Sequence, residues 1–199
     1  MSTSSKKPLL PEDKAEGLPF LKAYSVFNAG QIENLPAHFG PQEMSFEHCP
    51  NAEADTFFRN TGATLKEDPA RAFYRHNEDA VYMPPLSRFE EAERYYSVLA
   101  HEMTHWTGHP TRVPRNFPRT GFGTSNYARE ELVAELGAAF LCADLRLSLH
   151  PRPDHADYIG SWLQLLRNDK RAIFQAAALA QKATDFLHQL QPKQTQQAA

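Results

Sequence analysis

Hydrophobic and polar positions change their spacing part-way along the chain. Residues 21–27, Leu-Lys-Ala-Tyr-Ser-Val-Phe, form a short run rich in β-branched and aromatic residues. Asn28 and Gly30 close it, which predicts a strand. Residues 51–60, NAEADTFFRN, predict a short helix stopped near Gly62. Two further runs, 70–76 and 80–83, flank the turn-like Asn77-Glu78-Asp79 and predict a hairpin. Pro84 and Pro85 then end the sheet. From residue 89 onward the pattern is helical, with helices expected over 88–107, 126–147 and 155–190. The last should break at Asn168-Asp169, where Asp169 can cap a new helix. Residues 1–17 and 191–199 are polar and aperiodic, and read as a disordered lead-in and tail around one domain at 18–190. A few strands followed by long helices is the α+β pattern, here a small mixed or antiparallel sheet packed on long helices.

Composition narrows the function classes. The chain has 199 residues, enough for one domain with a core that needs no staples, and 41% of them are hydrophobic. Lys plus Arg (21) against Asp plus Glu (24) gives a net charge of −3, which does not describe a generally basic nucleic-acid binder. Two cysteines, Cys49 and Cys142, stand far apart, which excludes a disulfide framework and a cysteine zinc knuckle. The N-terminus lacks the apolar stretch of a signal peptide, and no window has the length to span a membrane. These features lead to the expectation of a cytoplasmic protein with no membrane partner.

The chemistry is concentrated at residues 101–105, His-Glu-Met-Thr-His, an HExxH motif. Positions i and i+4 lie about 40° apart around a helix, so His101 and His105 project from one face and can share a metal. Glu102 sits about 100° round from His101, beside the metal without being a ligand, where it can act as the catalytic base toward water. Residues 89–100 contain no Gly or Pro and carry acids near the start, as a helix N-terminus favours. Gly108, read as the C′ residue, and Pro110 stop the helix one turn past His105.

A catalytic zinc site needs a third protein ligand. The long HExxHxxGxxH signature fails, because position 111 is Thr. His109 comes too early for a ligand and reads as a surface or substrate-contact residue. A glutamate on the next helix is the alternative. Glu131, 26 residues after His105, and Glu135 are i,i+4 and share a face, while Leu132, Val133, Leu136, Ala139 and Phe140 turn to the core. Glu131 is therefore assigned as the metal ligand and Glu135 as the carboxylate that orients a ligand histidine. Glu130 replaces Glu131 if the register is off by one. The plainer reading of these carboxylates is a solvated helix face.

Three segments, LAHEMTHWTGHPTR, YAREELVAELGAAFLCADL and YIGSWLQLLRNDKRAIFQAAALAQKATDFL, closely resemble the C-terminal zincin-like metallopeptidase domain of ArdC-type antirestriction proteins, a polyvalent-protein metallopeptidase family. LPFLKAYSVFNAGQIENLP and AVYMPPLSRFEEAERYY share the resemblance, which covers residues 18–190. It implies a zincin-like fold, a plasmid- or phage-associated antirestriction setting and a zinc-dependent peptidase; the softness of two imidazoles and one carboxylate also admits Mn²⁺ or another divalent ion. His101, His105 and Glu131 become its ligands and Glu102 its catalytic acid/base. The implied partner is a protein or peptide substrate, a host restriction or DNA-associated protein among the candidates. Proteins of this type carry a single-stranded-DNA-binding domain ahead of the peptidase domain. Only some 17 polar residues precede the first expected strand here, so DNA binding is not expected of this chain. The alternatives are a non-catalytic metal-containing module that binds DNA or a restriction enzyme, and a toxin-type peptidase.

Several residues carry secondary expectations. The linker 109–124 interleaves Arg112, Arg115 and Arg119 with Phe117 and Phe122, a pattern able to contact nucleic acid or an acidic substrate. Its plainer reading is a solvated rim of the cleft. Tyr127, one turn before Glu131, is placed to donate to a developing oxyanion, or to pack at the helix entry. Trp106 and Trp162 read as core or cleft wall. The alanine-rich C-terminal helix should cover the active-site helices. The 80–83 strand is the expected exposed edge for an extended peptide.

Overall fold

The fold, given by a computed structural model, is described for residues 32–34, 36, 45–115, 124–147 and 155–192, without the side chains of 155–159 and 161. The expected strand at 21–27, the lead-in, residues 116–123 of the linker and nearly all of the tail lie outside these residues. The chain divides into two compact units, Met1–Gln42 and Glu43–Ala199. In the first, residues 32–34 make a turn with Asn34 at φ 59°.

The second unit is α+β. Helix α1 (Ala52–Asn60) starts where the Asn51 side chain accepts a hydrogen bond from Ala54 N at 3.0 Å, and Glu53 and Asp55 sit in its first turn. Gly62, at φ +71°, ends it in a conformation that L side chains avoid. Strand β1 (Thr64–Glu67) follows, an element absent from the sequence reading. Strands β2 (Phe73–Arg75) and β3 (Ala80–Met83) form the expected hairpin, with Asp79 at φ 48° in the turn.

The sheet order is β1-β3-β2, with β1 parallel and β2 antiparallel to β3. The mixed form of the sheet expectation therefore holds. The assignment of the 80–83 strand as an exposed edge does not. Val81 pairs with Leu65 on one side and Tyr74 on the other, and Ala80, Val81 and Met83 are buried. A strand occupied on both sides offers no free ladder to a peptide.

Helix α2 (Ala92–Thr107) begins later than the periodicity suggests. Leu86–Arg88 form a 3-10 turn, and Phe89 and Glu91 are extended, so the backbone enters the α conformation only at Ala92. Gly108 is its C-cap at φ −75°, not a left-handed C′ residue. Helix α3 (Ser125–Asp144) is capped by the Thr124 side chain accepting from Tyr127 N. Helices α4 (His155–Asn168) and α5 (Ala172–Gln189) are separated at the expected break. Asp169 closes the intervening turn by accepting from Arg171 N at 3.0 Å, but Arg171 is the N-cap of α5, one turn-half later than expected.

The helices pack through small residues. Ala172, Ala176, Ala180 and Ala183 form a buried stripe on α5, which lies against α3, as expected of the alanine-rich helix. One core cluster joins α1, β3, α2 and the end of α3 through Phe58, Val81, Tyr96, Leu99, Met103, Trp106 and Leu141. A second joins α3, α4 and α5 through Leu132, Val133, Leu165, Ala172, Ala176 and Ala180. Leu136 and Phe140 are partly buried against it. No helix among the described residues is long and apolar enough to cross a membrane.

Candidate metal centre

Two adjacent helices bring the chemistry together. On α2, His101 and His105 fall one turn apart on the face toward α3, and α3 returns Glu130, Glu131 and Glu135 to that face. The approach is close because α3 carries glycine at 137: a Cβ there would lie 2.5 Å from the Thr104 methyl. Thr104 is fully buried between the two histidines in sequence, and its hydroxyl is tied back to Ala100 O at 2.8 Å.

The two imidazoles turn their Nε2 atoms to each other at 3.1 Å. Glu131 lies across both, Oε2 at 3.5 Å from His101 Nε2 and Oε1 at 3.6 Å from His105 Nε2. Each Nδ1 meets a different carboxylate: His101 Nδ1 is 3.1 Å from Glu135 Oε1, and His105 Nδ1 is 3.0 Å from Glu130 Oε1. A carboxylate beside Nδ1 favours the ring proton there, the tautomer that turns the Nε2 lone pair to the centre. Two such lone pairs and a carboxylate facing one another form a donor set suited to a shared cation.

The spacing fits a metal. Ligand atoms about 2.0–2.1 Å from a tetrahedral ion stand about 3.3 Å from one another, close to the 3.1 Å between the two Nε2 atoms and to the distance from each to its nearer Glu131 oxygen. His101, His105 and Glu131 are also the only group of three candidate ligands, among the described residues, whose donor atoms lie within 4.8 Å of one another. His101 and Glu131 are buried, and His105 is partly open. Burial works to raise the Glu131 carboxyl, but its contacts with His101, His105 and the Tyr127 hydroxyl outweigh that and hold it at about 2. It is thus an anion throughout the physiological range.

Glu102 is 4% exposed beside this cluster. Among the described residues none donates a hydrogen bond to its carboxylate, so it is available to a small polar molecule in the site. Tyr127 is half-buried and bonded to Glu131, so it secures a ligand here. His109 does not join the cluster. Its Nδ1 pairs with the Thr111 hydroxyl at 2.8 Å, and its ring lies 5.0 Å from that of His76.

The linker's two described arginines correct the sequence reading. Neither reaches outward for a nucleic acid or forms a solvated rim. Arg112 lies over the Trp106 ring, 3.9 Å from its centroid, donates to Trp106 O at 2.8 Å and pairs with Asp79. The Arg115 side chain is 3% exposed and pairs with Glu130. Arg119, Phe117 and Phe122 lie outside the described residues. Trp106 is core, and Trp162 donates to Ala128 O at 3.2 Å, both as expected. The roles of Glu130 and Arg115 went unread. The adjacent Glu130-Glu131 pair, about 100° apart on a helix, was the only signal that two histidines could each receive a carboxylate.

Comparison with known proteins places the chain in a family. The sequence profile of the zincin-like metallopeptidase family matches residues 52–179. The Sinorhizobium fredii protein y4eC is 42% identical over 173 residues, which cover 85% of this chain and 54% of that protein. An Escherichia coli DNA primase TraC is 39% identical over 87% of this chain, but only 16% of the primase is spanned. The antirestriction protein ArdC of plasmid R388, solved with Mn(II) bound, superposes with a TM-score of 0.65 at 44% identity, covering 86% of this chain and 63% of that one. Its metal-free structure gives 0.64. The chain thus spans about half of the first of these relatives and a small part of the primase. With the family profile matched over most of its length, the chain belongs to the zincin-like metallopeptidase family.

Proposed function

We propose that this chain is a metal-dependent hydrolase that cleaves a protein or peptide substrate. His101, His105 and Glu131 hold one divalent ion, Glu102 handles the proton, and Glu135 and Glu130 orient the two imidazoles. The convergence of the three inward-facing acceptors, with a buried carboxylate beside them, carries this reading.

Two imidazoles and one carboxylate suit Zn²⁺, which is the proposed native metal, and they also accept Mn²⁺. Such an ion supplies a Lewis acid that acidifies water and polarises a carbonyl. The rest belongs to the chain. Glu102 accepts a proton from the attacking water and returns it to the leaving nitrogen, the double role that a carboxylate unsecured by protein donors can play. Burial of His101, Glu102 and Glu131 lowers the local dielectric, which strengthens each of these interactions. Tyr127 reaches a developing oxyanion only by leaving Glu131, so its first task is to hold that ligand. His109, turned to Thr111 and His76, is assigned no step.

The likeness to ArdC supports an antirestriction setting, with a host restriction or DNA-associated protein in the cytoplasm as the target. A module that kept its metal for stability alone would need no carboxylate at position 102. The experiment is cleavage of a mixed peptide library with and without added divalent ion, by the wild type and by Glu102→Gln. Metal-dependent cleavage that falls by about 10²-fold or more in the variant, with its metal retained, is expected. Cleavage by Glu102→Gln at the wild-type rate would contradict the assignment.

A further inference from the structure

We propose that Arg115 is a positioning residue of the metal centre: from the segment beyond α2 it fixes Glu130, and through Glu130 the His105 imidazole. The inference rests on the reading of His105 as a ligand and extends that site to a residue outside both helices.

A guanidinium with 3% of its side chain exposed is costly to bury unless its N–H groups are paired. Arg115 pairs them on both sides of the site. One terminal nitrogen donates to Glu130 Oε1, the same oxygen that lies 3.0 Å from His105 Nδ1. The other donates to Thr104 O at 2.7 Å and to the Thr107 hydroxyl at 2.9 Å. Thr104 O also accepts from the Thr107 hydroxyl at 2.7 Å, and Arg115 gives it a second donor. Gly108 N, its ordinary partner in an α-helix, instead bonds His105 O at 2.9 Å as the helix tightens at its end. A cation at a helix C-terminus is also favoured by the helix dipole.

Gly108 supplies the space. Its φ of −75° is open to any residue, so conformation does not require glycine there. A Cβ there would lie 2.6 Å from the Arg115 terminal nitrogen, so any larger residue would have to push the guanidinium aside. The fork therefore clamps three things at once: the last turn of α2, which carries His105; Glu130 on α3; and the chain leaving α2. A lysine could serve one of these acceptors but not all, since it lacks the planar fork.

Stripped protein is titrated with Zn²⁺ and Mn²⁺ in competition with a chelator, for the wild type, Arg115→Met, Arg115→Lys, Glu130→Gln and the Arg115→Met/Glu130→Gln double variant. Loss of an outer carboxylate partner weakens metal affinity by about 10–100-fold. Arg115→Met and Glu130→Gln should each do so, and the double variant should be no weaker than the poorer single, because the two act as one unit. Arg115→Lys should fall between wild type and Arg115→Met. Thermal melting of the metal-free proteins, run in parallel, separates general loosening from this effect, since loosening alone would add to Glu130→Gln. Wild-type affinity in Arg115→Met, or factors that multiply in the double variant, would overturn the inference while leaving the metal centre standing. Absence of binding by the wild type would overturn the metal centre itself. If Arg115→Met does not fold, Arg115→Lys carries the test: it must weaken binding, and must lose that effect in the Glu130→Gln background.

Discussion

Gly137 and Thr104 touch across the α2–α3 interface so closely that no side chain fits between them: an added Cβ would stand 2.5 Å from the threonine methyl and 2.6 Å from its hydroxyl. This contact sets the distance at which Glu130, Glu131 and Glu135 meet the histidines of α2. Alanine is the better helix former by about 1 kcal/mol, yet overpacking a tight contact costs about 1–3 kcal/mol. Gly137→Ala should therefore destabilise the protein in denaturant unfolding and weaken metal binding, and Thr104→Ala should restore part of both. A stabilised Gly137→Ala would show that the interface is slack.

A second contact makes stability depend on pH. The hydrogen bond from Arg112, helped by Tyr74, holds the Asp79 carboxyl at about 2, below its ordinary 3.8, against a burial effect that works to raise it. A folded-state value below the unfolded one favours the ionised native form. Its contribution is complete above pH about 4, and disappears as the pH falls through about 2. Because 40% of the Asp79 side chain is exposed, solvent screening keeps the effect below about 1 kcal/mol. Asp79→Asn should lower stability at pH 7 slightly and flatten the loss between pH 4 and 2, read from urea midpoints across that range. An unchanged pH profile would remove Asp79 from the account.

The middle position of β3 yields a third prediction. Tyr82 pairs with Lys66 in β1 and Phe73 in β2, and its ring stacks on Phe73 at 4.8 Å. Proline there removes a ladder donor from a strand bonded on both sides. Tyr82→Pro should lower the melting temperature and the soluble yield of the whole protein. A variant with wild-type melting that had lost only peptide cleavage would instead mean that β3 serves substrate.

Much of the site was legible because its signals are local. The i,i+4 spacing of His101 and His105, the Gly- and Pro-free approach to them, and the Glu131/Glu135 pair are all written within single helices. What went unread depends on partners distant in sequence. Thr64–Glu67 is exposed at every position and carries no alternation, so it is a strand only because β3 lies beside it. The same parallel pairing moved the 80–83 strand from edge to centre. Arg112 and Arg115 resembled a solvated, base-rich linker, and their inward turn follows from Asp79, Trp106 and Glu130, which the sequence places elsewhere. Gly108 was read correctly as the end of α2 but for the wrong reason, since its role is to admit Arg115 and not to turn left-handed.

A single divalent ion held by His101, His105 and Glu131 would register at once in metal stoichiometry and in thermal melting. The wild type should take up about one equivalent of Zn²⁺ or Mn²⁺, and at a hundred times the dissociation constant should gain about 2.7 kcal/mol, or about 5–10 °C in melting temperature. His101→Ala and Glu131→Ala, folded by circular dichroism, should lose both the equivalent and the shift. Folded variants that kept stoichiometric metal, or a wild type that took up none, would contradict the claim.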